Sequence, residues 1–265
     1  MKEDLKKDYE YLWNNMVISP KGKSGALPII DGIISNKNRY VSVTNVTGVP
    51  WFMIGCIHSL ECSSSFKLHL HNGDPLTDRT KNVPPGRPLK GKPPFSWEDS
   101  AIDALIMKIK GGWPQKDFEN IKNDDIISML YLMELYNGMG YRHYHPEVKT
   151  PYLWAGSNNY TRGKYVADGE FDPNAKSGQI GAAILLKIMK EKNVMNNKIE
   201  NLESIDNVPI SLSNISKENA INLQKLMNGI ASSHWKRPFK PLDLDGKIGK
   251  ESKKMFNNIF GTNIT

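Results

Sequence analysis

Glu61 is the residue whose neighbours best suit it to act as an acid. It closes an apolar run, Trp51 to Glu61, that reads as a buried central helix led in by Thr47-Gly48-Val49-Pro50, proline being favoured in a first turn. Ile54 and Ile57 stand seven and four residues before it, so the carboxyl shares a helical face with aliphatic side chains. Desolvation and the negative end of the helix dipole both favour the protonated form. A carboxylic acid that keeps its proton is what the breaking of a glycosidic bond requires of its general acid. The alternative is a glutamate at a solvated helix end, held by Ser63 or Ser64.

A second polar group is needed across the scissile bond. Phe66 to Asp74 alternates with period two and ends in Asn72-Gly73, which predicts a strand and a tight hairpin turn. A hairpin folding back beside the helix end would set Asp74, Thr77, Asp78 and Thr80 across a cleft from Glu61. Asp74, or a water held by Thr77 and Thr80, is then the second catalytic group, although a residue after Asn-Gly is also an ordinary turn residue.

Six of the ten tyrosines (Tyr136, Tyr141, Tyr144, Tyr152, Tyr160, Tyr165) and Trp154 fall within Tyr136–Tyr165, interleaved with Asn137, Asn158, Asn159 and Arg162. Sugars present apolar CH faces and a rim of hydroxyls, which aromatic platforms and amides suit. Tyr136, Asn137, Tyr141, Tyr152, Trp154 and Tyr160, with His71 and Thr77, are the candidate substrate-binding residues, about half of the rings being expected to face the cleft. His58 and Glu61 at i, i+3, with His69 and His71 at i, i+2, could instead gather a zinc ion. No HExxH occurs, and Asp243-Leu244-Asp245-Gly246 lacks the remaining ligands of a calcium loop. No metal or cofactor is expected.

The elements that must position these groups read as mostly helical. Leu5, Tyr9, Leu12, Trp13 and Met16 mark an amphipathic first helix, and the prolines and glycines from Pro20 to Gly32 mark a break. Ser96 caps a helix to about Lys108, and Asp124 opens one to about Tyr136. Lys81 to Pro94 and Gly138 to Gly178 read as loops, the second long enough to be functional. Ser177 to Lys190 is helical, Glu191 to Asn207 is a polar linker, and 217–228 and 250–260 are short helices. The fold class is mainly α (α+β), with a small hairpin sheet in residues 1–190, a linker at 191–207 and a small helical domain at 208–265. Cys56 and Cys62, about 120° apart on one helix, form no disulfide.

Several motifs in order resemble a known superfamily. Glu61-Cys62-Ser63-Ser64-Ser65-Phe66 after a buried helix resembles the Glu-Ser-x-Phe region of the lysozyme superfamily, in goose-type lysozymes and lytic transglycosylases. His69-Leu70-His71-Asn72-Gly73-Asp74-Pro75-Leu76-Thr77, Arg79-Thr80, Pro85-Gly86-Arg87-Pro88 and Trp97-Glu98 are similar to runs in phage and bacterial lysozyme-like proteins. So are Tyr136-Asn137-Gly138-Met139-Gly140-Tyr141, Pro151-Tyr152-Leu153-Trp154 and Gly163-Lys164-Tyr165-Val166-Ala167-Asp168-Gly169. The resemblance spans about Val49 to Met189 and implies a lysozyme-like domain with Glu61 as catalytic acid. Cys62 departs from the small polar residue usual there, and the extra serine before Phe66 departs from the transglycosylase pattern. At the C-terminus, Leu223-Gln224 and Asp245-Gly246-Lys247-Ile248-Gly249 resemble the small three-helix peptidoglycan-binding domains.

The implied activity is that of a muramidase or endolysin cutting the MurNAc-GlcNAc β-1,4 bond of peptidoglycan glycan strands. A lytic transglycosylase, or a non-catalytic wall-binding or virion protein, is the alternative. Charge fits a wall partner: of the net +7 (35 Lys+Arg, 28 Asp+Glu), residues 208–265 carry nine basic and four acidic groups. That basic module suits anionic wall polymers, nucleic acid being the other anionic partner charge alone would allow. The chain is expected to act as a monomer on the bacterial cell wall, without nucleic acid or membrane. Met1 to Asp8 has no apolar signal core, so delivery by a holin, host lysis or a virion is expected.

Overall fold

The apolar spacing near the N-terminus winds α1 (Glu3–Asn14), which buries Tyr9 and Leu12. The expected break at Pro20–Gly32 is instead helix α2 (Pro20–Ser35). Pro20 occupies the first turn, where its missing N–H costs nothing, and Ser19 Oγ caps the end by accepting from Gly22 N at 2.9 Å. Burial of Ala26, Ile30 and Ile33 outweighs the low propensity of its glycines and of the exposed Pro28. A helix with no strong apolar pattern, α3 (Lys37–Thr47), follows and stops at left-handed Gly48.

The apolar run forms α4 (Trp51–Cys62), buried on nearly all sides as its sequence requires. It packs against α2, α3 and α10 (Ala182–Glu191). Gly55 lets α2 approach, since a Cβ there would press on Ile33.

The strand expected over 66–74 does not form, though the chain does reverse at Asn72-Gly73, with His69 N donating to Asp74 O (2.7 Å) and Leu76 N to Lys67 O (3.0 Å). That stretch is a series of turns with one isolated bridge, Leu68 to Pro75. A half-buried strand needs alternation, but His69, Leu70 and His71 are buried consecutively. Ser96 caps α5 (Trp97–Gly111) as anticipated, its Oγ accepting from Asp99 N at 3.1 Å. A short α6 (Gln115–Ile121) precedes α7 (Ile126–Asn137), whose cap is Asp125, one residue later than expected.

The presumed long loop 138–178 holds α8 (Gly140–Tyr144), α9 (Pro151–Trp154) and the small sheet, β1 (Lys164–Ala167) antiparallel to β2 (Glu170–Asp172). Each of these elements is too short to show a period. The hairpin is held by a ring cluster in which His145 stacks on Phe171 at 3.5 Å between centroids, with Tyr141 and Tyr165 edge-on.

The computed structural model describes residues 1–167, 169–195, 216–234 and 240–260. The chain is mainly helical with one two-stranded sheet, and forms two compact units, Met1–Asn197 and Lys198–Thr265. Their boundary falls inside the stretch expected as a linker, of which 196–207 lies outside the described residues, as do 208–215 and Asp168. In the second unit the described residues show two helices, α11 (Lys217–His234) and α12 (Lys250–Phe260), not the three of the resemblance. Among the described residues no single helix is long and apolar enough to cross a membrane.

Candidate active site

α4 ends abruptly just after Glu61. Ser63 and Ser64 both adopt left-handed conformations, φ 48° and 59°. Ser64 N donates to His58 O at 3.2 Å and Ser65 N to Cys62 O at 2.8 Å, which satisfies carbonyls of the last turn. Two consecutive non-glycine residues in this region are a strained arrangement of the kind that gathers at functional sites. The turn leaves Glu61 half-buried at the negative end of the helix.

Burial is the main force on the Glu61 carboxyl and pushes its pKa up to about 7. A hydrogen bond from Tyr152 and the charge of Lys108 act in the opposite direction and are outweighed. Tyr152 Oη donates to Glu61 Oε1 at 2.9 Å. Neither Ser63 nor Ser64 holds the carboxyl, since Tyr152 makes its one side-chain hydrogen bond among the described residues. Thr150 positions that tyrosine by capping α9, with Pro151 in the first turn.

Two depressions adjoin neighbours of Glu61, which itself lines neither. One, of about 490 Å³, is lined by Asn137, Tyr141, Tyr144, Tyr152, Tyr165 and Ser177 among others. The other, of about 610 Å³, is lined by Lys21, Ser24, Ser59, Leu60, Ser63 and Ser64. Gln179 lines both, and its Nε2 donates to Leu60 O at 3.3 Å. Glu61 is linked to the first through its partner Tyr152 and to the second through its chain neighbours Leu60 and Ser63. No carboxylate lines either depression among the described residues. A carboxyl whose pKa is raised by burial, hydrogen-bonded to a tyrosine in the wall of a depression with further tyrosine rings and amides, can protonate a leaving oxygen in a polar ligand.

The residues expected across the cleft are not gathered there: Asp74, Thr77, Thr80 and His71 line neither depression. Asp74 organises its own loop. Its carboxylate accepts from Lys81 N (2.7 Å), Asn82 N (2.9 Å), Asn82 Nδ2 (2.6 Å) and Asn72 Nδ2 (3.0 Å). Slight burial acts to raise its pKa, but those donors, Asn82 and Lys81 foremost, hold it below the ordinary value. The main chain of this turn meets the helix end, where a Cβ on Gly73 would lie 3.2 Å from Glu61 O. Thr80 Oγ1 donates to Pro84 O at 2.5 Å and accepts from Arg87 N at 2.9 Å, while Thr77 is exposed.

The histidines weighed as zinc ligands spend their ring nitrogens inside the protein. His58 meets Tyr40 Oη (3.0 Å) and Ser65 O (3.1 Å), and His69 meets Ser100 Oγ (2.8 Å) and Asp78 O (2.7 Å). His71 Nε2 lies 2.9 Å from Asp103 Oδ2. No group of three His, Cys, Asp or Glu that could hold a metal occurs among the described residues.

Of the expected aromatic platforms, Tyr141, Tyr144, Tyr152 and Tyr165 line the groove. Trp154 does not: it is fully buried in the core and offers no face to a ligand. Tyr136 is buried too, its Oη donating to Leu70 O at 2.8 Å, and Tyr160 Oη ties Gly163 O at 3.1 Å to Ser177 N at 3.0 Å. Asn137 lines the groove as expected. Sequence reasoning missed Gln179 and Lys108. Gln179 has no local signal, but Lys108 continues the buried stripe Ala101, Ala104, Leu105 at helical spacing and was legible in that sense.

In the second unit, the Leu-Gln and Asp-Gly signatures meet each other. Buried Gln224 donates to Asp245 Oδ1 (2.9 Å) and Lys247 O (3.0 Å) and accepts from Gly246 N (3.0 Å). Gly246 is left-handed, φ 72°, and a Cβ there would press on Lys217. The motif residues thus build the turn. A separate depression of about 430 Å³ is lined by two basic side chains, Lys240 and Lys254, and two acidic ones, Asp243 and Glu251, with Asn258. Compared with models of protein families, with curated proteins and with solved structures, the chain finds no significant match.

Proposed function

We propose that the first unit is a glycosidase that cleaves the MurNAc-GlcNAc β-1,4 bond of peptidoglycan, with Glu61 as general acid. One observation carries this reading: a carboxyl with its pKa raised to about 7 by burial is hydrogen-bonded to Tyr152, a wall residue of the tyrosine-lined depression. Glu61 gives its proton to the glycosidic oxygen as the C1–O bond breaks. In hydrolysis, water then adds to C1 and returns a proton to the carboxylate. Tyrosine rings and Asn137 bind sugar faces and hydroxyls, and the basic second unit holds the anionic wall polymer.

A second reading is favoured by the lack of any second carboxylate beside Glu61 in the walls of the two depressions among the described residues, Glu61 itself reaching them only through its neighbours. In a lytic transglycosylase Glu61 serves alone, first as acid and then as base for the muramic 6-hydroxyl that attacks C1. Incubation with purified peptidoglycan and mass spectrometry separates the two, since only the second gives anhydro-muramic ends. Glu61→Gln is expected to abolish product release while wall binding persists. Undiminished cleavage by that variant sinks both readings, and wall binding by the native chain without released sugar leaves a binding protein.

A further inference from the structure

Among the described residues, Gln179 is the one that lines both depressions. The stretch that carries it, 177–181, is tied down at both ends. Ser177 N donates to Tyr160 Oη at 3.0 Å, and Gly181 N donates to Ala155 O at 2.8 Å. Gly181 runs so close to α9 that a Cβ there would fall 2.3 Å from Leu153 O. Ile180 packs on Gly25 of α2, where a Cβ would lie 2.8 Å from its Cδ1. Between these ties Gln179 is exposed, so a fixed main chain presents its side chain to the two depressions.

One group of that side chain is already committed. Gln179 Nε2 donates to Leu60 O at 3.3 Å. A carbonyl only accepts, so the nitrogen of the amide, not its oxygen, faces Leu60. Leu60 immediately precedes Glu61, and Tyr152, which bonds Glu61, lines the first depression together with Gln179. Two groups of the amide are left, the second Nε2 hydrogen and Oε1, neither with a protein partner among the described residues. A donor and an acceptor on one planar group match neighbouring hydroxyls, or a hydroxyl beside an acetamido group, on a sugar ring.

We propose that Gln179 is a substrate-binding residue at the point where a glycan passes from one depression to the other. Its Oε1 accepts from, and its free Nε2 hydrogen donates to, polar substituents of the sugar that lies there. The ligand class rests on the glycosidase reading given above. A run of sugars that enters both depressions crosses this amide, one chain position away from the acid.

The test is the binding of chitotetraose, a soluble N-acetylated glycan, to the full chain with its glutamine side-chain amides isotopically labelled for NMR. Gln179 is identified by the signals lost in Gln179→Met. Chitotetraose is expected to shift the Gln179 amide signals of the native protein, and Gln179→Met is expected to bind it about tenfold more weakly with unchanged thermal unfolding. Native affinity in Gln179→Met overturns the inference. So does a native protein that binds the sugar while the Gln179 signals stay in place, as they would for a glutamine with a purely structural role, and so does a native protein that does not bind the sugar. Gln179→Ala gives the same reading if the Met variant does not fold. Native protein that binds chitotetraose through Gln179 yet leaves peptidoglycan intact overturns the glycosidase reading and leaves this inference standing.

Discussion

The phenol of Tyr152 and the carboxyl of Glu61, 91 residues apart in the chain, meet in a 2.9 Å hydrogen bond in which Tyr152 Oη donates to Glu61 Oε1. Because Oε1 is taken as an acceptor, a proton on Glu61 belongs on Oε2. That oxygen has no protein partner among the described residues. The bond thus decides which oxygen of the acid delivers the proton.

Tyr152→Phe removes this donor without changing the ring. Since the bond lowers the Glu61 pKa against burial, its loss is expected to move the alkaline limb of the pH–rate profile upward. The freed carboxyl also loses its orientation, and kcat is expected to fall by about tenfold. A pH profile of muropeptide release on both proteins checks this, and identical limbs would show that the phenol does not set the acid.

Glu61 also couples stability to pH. Its folded pKa of about 7 lies above the ordinary 4.5, so the native state binds more protons than the unfolded chain between those values. Its contribution is whole below about pH 4.5 and is lost as pH rises through 7, a difference of at most about 3 kcal/mol. Glu61→Gln is therefore expected to melt above the native protein at pH 8 and level with it at pH 4.5. His58 and His71 run the other way: burial lowers both from 6.5 to about 4, so their contribution is whole above pH 6.5 and fades as pH falls through 4. Thermal melts across pH 4 to 8 read both signs.

Asp74→Asn separates a loop tie from a second catalytic group. Four donors converge on its carboxylate, so the variant is expected to lose about 1–2 kcal/mol of stability while kcat stays within tenfold of native. A thousandfold fall in kcat with unchanged urea unfolding would restore Asp74 as nucleophile or base.

Trp154 and Tyr144 divide the aromatic segment by role. Trp154 is 0% exposed, and Trp154→Ala is expected to cost about 3–5 kcal/mol in urea unfolding. Tyr144 is 75% exposed on the groove, and Tyr144→Ala is expected to leave stability within about 0.5 kcal/mol and raise KM several-fold. Reversed outcomes would return Trp154 to the substrate-binding set.

Local chemistry made several features legible in the chain itself. The apolar run 51–61 could only be a buried helix, and with it came the half-buried carboxyl at its end. Ser96 announced a cap, and the two cysteines on one helix are free thiols in the structure. The mainly helical class followed from the same periodicities. Elements that depend on distant partners were not legible. α2 forms across Pro and Gly because its apolar face is covered, and the two-stranded sheet lies at 164–172 because a ring cluster supports it there, whereas 66–76 pairs only with itself through one isolated bridge among the described residues. What meets the end of α4 was decided by tertiary structure alone: Tyr152, which bonds Glu61, comes from α9, and Gln179, which bonds Leu60, from the segment before α10. Sequence spacing fixes what one element can present to another. The burial that lifts an acid to about pH 7 is a property of all the elements that close around it.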